Sequence, residues 1–267
     1  MQRLAGFTGP LNWLNTDEVE WENKARAWQP EYMVHSAWLG VSASQRDDWD
    51  SQLTNLEFTV KLLQIMAAGP ARQIIALGSQ AEYGNFHGRI AEDTPANPNT
   101  AYGAVKVATL DVLRAFCQVH GLNWHWLRVF AVFGPREDAH WFVSHVVNKL
   151  LHEQTLDLTG CEQQYDYTYV RDLARAIIGV LGADATTNGV YNVSANTALP
   201  LKKIVQAVQI LTQSDAEINY GAIPYRPGQV MHLEGDSDRF AVVFGPVATT
   251  PLSQALTETI TFVKETA

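Results

Sequence analysis

A tyrosine and a lysine four residues apart, Tyr102-Gly-Ala-Val-Lys106, stand at the start of a predicted helix. This spacing puts both side chains on one helical face, so an ammonium can sit near a phenol. A free tyrosine titrates at about 10, too high for proton transfer at neutral pH, and a neighbouring cation lowers that value by favouring the phenolate. Alone, such a pair more often marks an exposed helix than a site. Ser79 changes its weight, because it follows the predicted strand 72–77, at the carboxyl end where parallel sheets place their ligands. The next helix is the one that begins with Tyr102, so a hydroxyl, a phenol and an amine face one crevice. That set suits redox chemistry between a carbonyl and an alcohol. Tyr102 moves the hydroxyl proton, Ser79 hydrogen-bonds the same oxygen, and Lys106 tunes the phenol and holds a cofactor ribose.

Strands and helices must alternate to bring these groups together, and short apolar runs do alternate with helix-period segments over the first half of the chain. Thr16 is placed to cap a helix with Trp21, Ala25 and Trp28 on one face, stopped by Pro30. Residues 32–37 read as a strand. Residues 51–68 carry Leu53, Leu56, Val60 and Leu63 at helical spacing and end at Gly69-Pro70. After the strand 72–77 comes a polar loop, 78–100, of a length that in compact domains often carries function. The helix 102–120 stops at Gly121, and a strand 124–133 closes at Gly134-Pro135. The second half is more mixed: a helix ending near Leu151, a strand 165–170, a helix 172–181, a strand 190–193, and amphipathic helices over 201–211 and 252–263.

The 267 residues are 46% hydrophobic and 18% charged, a globular balance rather than a disordered or fibrous one. No apolar run approaches the ~18 residues of a membrane span, and the first residues lack the apolar stretch of a secretion signal, so no membrane partner and a cytoplasmic location are expected. With 19 Lys and Arg against 28 Asp and Glu, the net charge of −9 includes no basic stripe and argues against nucleic acid as a partner. An anionic ligand must be held locally. The two cysteines, Cys117 and Cys161, make neither a disulfide framework nor a metal cluster. None of His120, His125, His140 and His145 sits with carboxylates at ligand spacing on one helix face, and no metal is expected.

Eight ordered blocks resemble the extended short-chain dehydrogenases of the NAD-dependent epimerase/dehydratase family, which remodel nucleotide-activated sugars. Pro30-Glu-Tyr-Met-Val-His35-Ser-Ala37 is similar to the strand whose end passes under the cofactor, and Asn55 with Leu62-Leu63 to an Asn-containing helix. Ala76-Leu-Gly-Ser79-Gln-Ala-Glu-Tyr83-Gly84 resembles the serine loop, and Pro98-Asn-Thr-Ala-Tyr102-Gly-Ala-Val-Lys106 the catalytic helix. Leu127-Arg128-Val-Phe130-Ala-Val-Phe133-Gly134-Pro135-Arg136 is similar to the strand and turn beside the nicotinamide. Tyr165-Asp166-Tyr-Thr-Tyr-Val170-Arg-Asp172 and Gly189-Val-Tyr-Asn192-Val resemble later strands, and Arg226-Pro227-Gly228 a loop that holds the diphosphate. The resemblance implies an α/β chain with a Rossmann-like parallel sheet over 1–135 and 165–198. A small interleaved substrate region would take in 136–164 and 199–267. It further implies Ser79, Tyr102 and Lys106 as the catalytic set, Ala37, Lys106 and Phe130 as contacts to NAD or NADP, and Ser79, Tyr102 and Arg226 as contacts to a nucleotide-diphosphate sugar. A homodimer formed through the helices 51–68 and 102–120 is implied as well.

The sequence departs from that pattern in four places. The family opens with a strand, a glycine turn and a helix that cradle the pyrophosphate; here Gly6 and Gly9 are followed by Pro10. The expectation is therefore a Rossmann-like sheet truncated at its N-terminus. Truncation, a misplaced start or loss of ordinary dinucleotide binding would each explain this, and weak cofactor binding is expected from all of them. Ala131 stands where the family has a sugar-contacting Asn, and Tyr165 where it has an Arg. Gln80 and Ala81 replace the Asp-Glu pair with which dehydratases eliminate water, so epimerisation or 4-keto-sugar reduction is expected instead. The alternative is a non-catalytic nucleotide-sugar-binding or structural homologue. Trp141 is a further candidate for lining the sugar site.

Overall fold

Asp48 accepts a hydrogen bond from the Ser51 amide, and Thr100 accepts one from the Gly103 amide at 3.1 Å. These two caps start the helices that carry the chain across the sheet. In the computed structural model, which describes residues 8–266, the first half runs α1 (Trp21–Ala27), β1 (Tyr32–His35), α2 (Trp49–Ala67) and β2 (Gln73–Ser79). A single 3₁₀ turn (Gln80–Tyr83) then leads to β3 (Gly88–Ile90), α3 (Ala101–His120), β4 (Asn123–Val129) and β5 (Ala131–Phe133). The second half adds α4 (Phe142–Leu151), β6 (Leu156–Leu158), β7 (Gln164–Tyr165), β8 (Tyr167–Tyr169), α5 (Val170–Val180), β9 (Gly189–Val193) and β10 (Leu199–Pro200). The last elements are α6 (Leu201–Thr212), β11 (Ile218–Tyr220), β12 (His232–Gly235), α7 (Asp238–Phe244) and α8 (Leu252–Thr266). Gly6, half of the glycine pair noted in the sequence, lies outside the described residues.

The main sheet has the order β1-β2-β4-β9 and is parallel throughout, with Tyr32 opposite Gln73, Gln73 opposite Asn123 and His125 opposite Gly189. Adjacent residues on its strands point to opposite faces. Ile74 and Trp126 therefore pack with Leu63, Leu110 and Leu113 of α2 and α3, while Ile75 and Leu127 pack with Ala176, Val180 and Phe240 of α5 and α7. This doubly covered parallel sheet is the α/β, Rossmann-like architecture expected from the sequence. A separate cluster, including Phe133, Val147, Leu156, Ile204 and Leu256, forms the core of the later elements. Among the described residues no helix is long and apolar enough to cross a membrane.

Three expectations need correction. The first helix starts at Trp21 with Glu20 at its cap position, not Thr16, and spans seven residues. Trp21 and Ala25 are buried, but Trp28 lies beyond the last turn and is 47% exposed. The strand expected over 124–133 is two strands. It breaks at Phe130, where the ring is buried against Tyr83, Ile90 and Leu233, and β5 leaves the main sheet to pair with β8. The strand expected over 165–170 also breaks, at Asp166, whose fully buried carboxylate accepts from the Ala195 amide at 2.8 Å. In both cases the extended stretch is continuous in the sequence, but its two halves pair with different strands.

Candidate active site

Ser79 is the last residue of β2 and caps the 3₁₀ turn that follows it. Its hydroxyl accepts from the Ala81 amide at 3.2 Å, and its own amide donates to Glu82 Oε1 at 2.8 Å. The fully buried Glu82 carboxylate also accepts from Trp126 Nε1 at 2.9 Å and Arg128 Nε at 2.7 Å, so one side chain ties the serine loop to β4. The sequence reading passed over Glu82, although Ser79-Gln-Ala-Glu82 has the spacing of a capping box. Glycine is required on either side of the turn. A Cβ at Gly78 would collide with the Trp126 indole and the Glu82 carboxylate, and one at Gly84, whose φ is +72°, with the Asn97 carbonyl.

Tyr102 enters from the first turn of α3 and Phe130 from the break between β4 and β5. Together with Ser79 they line a cavity of about 930 Å³. Arg226, exposed, and Trp141 are also on its wall, as is Ala131. Volumes of this size suit small-molecule ligands. Burial raises the Tyr102 phenol above the ordinary tyrosine range, while Ser79 and Arg46 pull it the other way. The Arg46 guanidinium lies 5.3 Å from the centre of the Tyr102 ring, and the Tyr102 amide donates to the Arg46 carbonyl at 2.8 Å. At neutral pH the phenol holds its proton. The expected lowering of this phenol by Lys106 is not what this arrangement produces, because desolvation outweighs every charge acting on it.

Lys106 is on the same face of α3 but does not reach the cavity. It is 4% exposed, donates to the Leu77 carbonyl at 2.7 Å, and faces the Trp38 ring with its nitrogen 3.5 Å from the ring centre. Burial pushes its pKa down to about 7, with Glu82 opposing. Ala37 is exposed at the end of β1 and outside the cavity wall. Below it His35 is buried, with Nε2 2.9 Å from Thr59 Oγ1, and Asn55 accepts from the Leu39 amide at 2.7 Å. The structure thus brings together Ser79, Tyr102, Phe130 and Arg226 and leaves Ala37 and Lys106 outside that wall. Of the residues expected to meet a nicotinamide dinucleotide, Phe130 is buried but borders the cavity and Ala37 is exposed, while the Lys106 amine expected to hold the ribose is engaged by the Leu77 carbonyl and the Trp38 ring.

Over residues 11–194 the chain matches the NAD dependent epimerase/dehydratase family. UDP-glucuronate 4-epimerase 6 of Arabidopsis thaliana is 24% identical over 247 residues, which cover 84% of this chain and 53% of that protein. The chain spans about half the length of the first curated relatives it matches. Among solved structures, UDP-glucose 4-epimerase with UDP-glucose from Thermotoga maritima superposes with a TM-score of 0.83 at 24% identity, covering 98% of this chain and 89% of that one. RMD from Pseudomonas aeruginosa complexed with NADPH gives 0.86 at 17% identity, covering 100% and 94%. These two likenesses establish the fold.

Proposed function

Because the chain belongs to the NAD dependent epimerase/dehydratase family, we propose that it is a nucleotide-sugar epimerase or 4-keto-sugar reductase whose Ser79 and Tyr102 act on one sugar oxygen. The observation that carries this reading is the meeting of a hydroxyl from the end of β2 and a phenol from the start of α3 on the wall of one cavity. A sugar carbonyl placed there accepts a hydrogen bond from Ser79. The protonated phenol of Tyr102, raised by burial, donates its proton to the same oxygen as negative charge develops on it. NAD or NADP, when bound, supplies the hydride. Arg226 offers a planar fork to the substrate diphosphate. Gln80 and Ala81 provide no acid and base for loss of water. This reading places the enzyme in the cytoplasm as a homodimer joined through α2 and α3, where Leu53 of α2 is 46% exposed.

Replacing Tyr102 with Phe tests the reading. With UDP-, dTDP- and CDP-sugars and either nicotinamide cofactor, turnover should fall on the order of 10²- to 10⁴-fold while nucleotide-sugar affinity holds. Unchanged turnover ends the Tyr102 mechanism. A second reading, a nucleotide-sugar-binding protein without turnover, is favoured by the covered Lys106. It predicts tight nucleotide-sugar binding with no reaction in the wild type.

A further inference from the structure

The cavity wall ends at Tyr102 although Lys106 lies one helical turn along the same face of α3. The reason is Trp38. The Lys106 ammonium is engaged on two sides, by the Leu77 carbonyl at 2.7 Å and by the indole of Trp38 at 3.5 Å. A cation against an indole face in a desolvated site is an attraction that any competing partner must displace. Trp38 is half-buried and well anchored. Its indole N–H donates to Gln52 Oε1 at 2.8 Å, Gln52 is fully buried on α2, and the same Gln52 donates to the Gly40 carbonyl at 2.9 Å. Its ring also meets Tyr102 edge-on, with centres 6.1 Å apart. Ser36 and Ala37, immediately before it, are exposed. The carboxyl end of β1 is therefore open to a ligand while the amine behind it is closed off.

We propose that Trp38 is a protein-borne cap on Lys106, occupying the position a dinucleotide ribose hydroxyl would need, and that its displacement sets how tightly this chain holds a nicotinamide cofactor. The identity of the ligand rests on the proposed function; the cap itself rests on the contacts of Trp38. With the cap closed, the ammonium is committed to Leu77 and the indole. With it open, one donor is released toward a ribose and the phenol of Tyr102.

Two measurements on the full chain test this. NADH and NADPH are titrated by calorimetry into the wild type and Trp38→Ala, with UDP, dTDP and CDP as reference ligands. Separately, acetic anhydride labelling of Lys106 is followed by mass spectrometry against the exposed Lys264. Trp38→Ala should tighten at least one dinucleotide tenfold or more and raise the Lys106 labelling rate at least tenfold. Unchanged labelling shows that Trp38 does not cover the amine, and unchanged or weaker dinucleotide binding shows that it is no obstacle; either result overturns the proposal. If Trp38→Ala does not fold, Trp38→Phe, which keeps one ring and loses the bond to Gln52, should shift both readouts the same way by at least threefold, and no shift is again fatal. Absence of binding by all three nucleoside diphosphates, with the cap results as expected, would instead count against the nucleotide-sugar reading and leave the cap standing.

Discussion

Single buried residues of this chain depart from their solution chemistry mainly because they are dry. His35 and His125 are both pushed down to about 4 by burial, with Lys106 adding to the effect at His35. A histidine whose folded pKa lies below its unfolded value of about 6.5 binds its proton first in the unfolded chain. Its neutral form is fully compatible with folding above about 6.5, and stability is lost as the pH falls from there toward about 4. By linkage the loss approaches roughly 3 kcal/mol for each histidine. Asp166, raised to about 6 by burial, works in the opposite direction, since its folded form takes up a proton first. The histidine contribution is therefore read as a difference. Between pH 7.5 and pH 4.5, denaturant unfolding of the wild type should lose about 2 kcal/mol or more beyond the loss in the double variant His35→Gln/His125→Gln. Equal losses would mean that these rings do not stay neutral in the fold.

Elements place the chemistry through a small number of tertiary ties. Thr100 and Gly121 bracket α3, and the stop at Gly121 was readable because a cap acts within a few residues of itself. The serine loop is different. Its position depends on Glu82, which joins Ser79 to Trp126 and Arg128 across the sheet, and Arg128 is itself buried at 5% exposure. Removing one partner of a buried ion pair leaves the other charge uncompensated, at a cost of about 3 to 5 kcal/mol. Glu82→Ala should therefore lower the free energy of unfolding by about that amount, measured by guanidinium titration, whereas removing exposed Glu18 should change it by roughly 1 kcal/mol or less. A small loss in Glu82→Ala would show that the pair can be rehydrated. The breaks at Phe130 and Asp166 were illegible for a related reason: a stretch rich in aromatic and β-branched residues reads as one strand whether its halves share neighbours or not.

At the scale of the whole molecule, a net charge of −9 has to coexist with the binding of a diphosphate. Long-range attraction is unavailable, so local guanidinium groups must supply the charge, and Arg226 is on the cavity wall while exposed to solvent. Arg226→Ala should weaken UDP-, dTDP- and CDP-sugars alike, by about 2 kcal/mol or more, because a phosphate contact ignores the base. Arg226→Lys should recover part of the loss, since an ammonium lacks the paired donors of the fork. Calorimetry with a nucleoside diphosphate checks both. Equal affinity of wild type and Arg226→Ala would move the anion site to Arg136, which is also on the cavity wall, whereas Arg128, the other arginine in the sequence pattern, is buried and paired with Glu82.

Taken by itself, the order of residues determined what local geometry can carry. It set the alternation of strands and helices, the stop of α3 at Gly121, the shared face of Tyr102 and Lys106, and the placing of Ser79 at the carboxyl end of a parallel strand. These follow from periodicity and capping, which are properties of short windows. Tertiary structure decided the rest. Trp38, at the end of β1, and Lys106, in α3, are far apart in the chain, and only the packing of α2 and α3 on one face of the sheet brings the indole over the ammonium. The same packing removes water from Tyr102 and Lys106, and their protonation is governed by that loss of solvent rather than by their spacing. Residue types and intervals identify which groups are available for chemistry. Which of them face the cavity, and which are covered by another side chain, is settled by contacts between distant segments that no local pattern encodes.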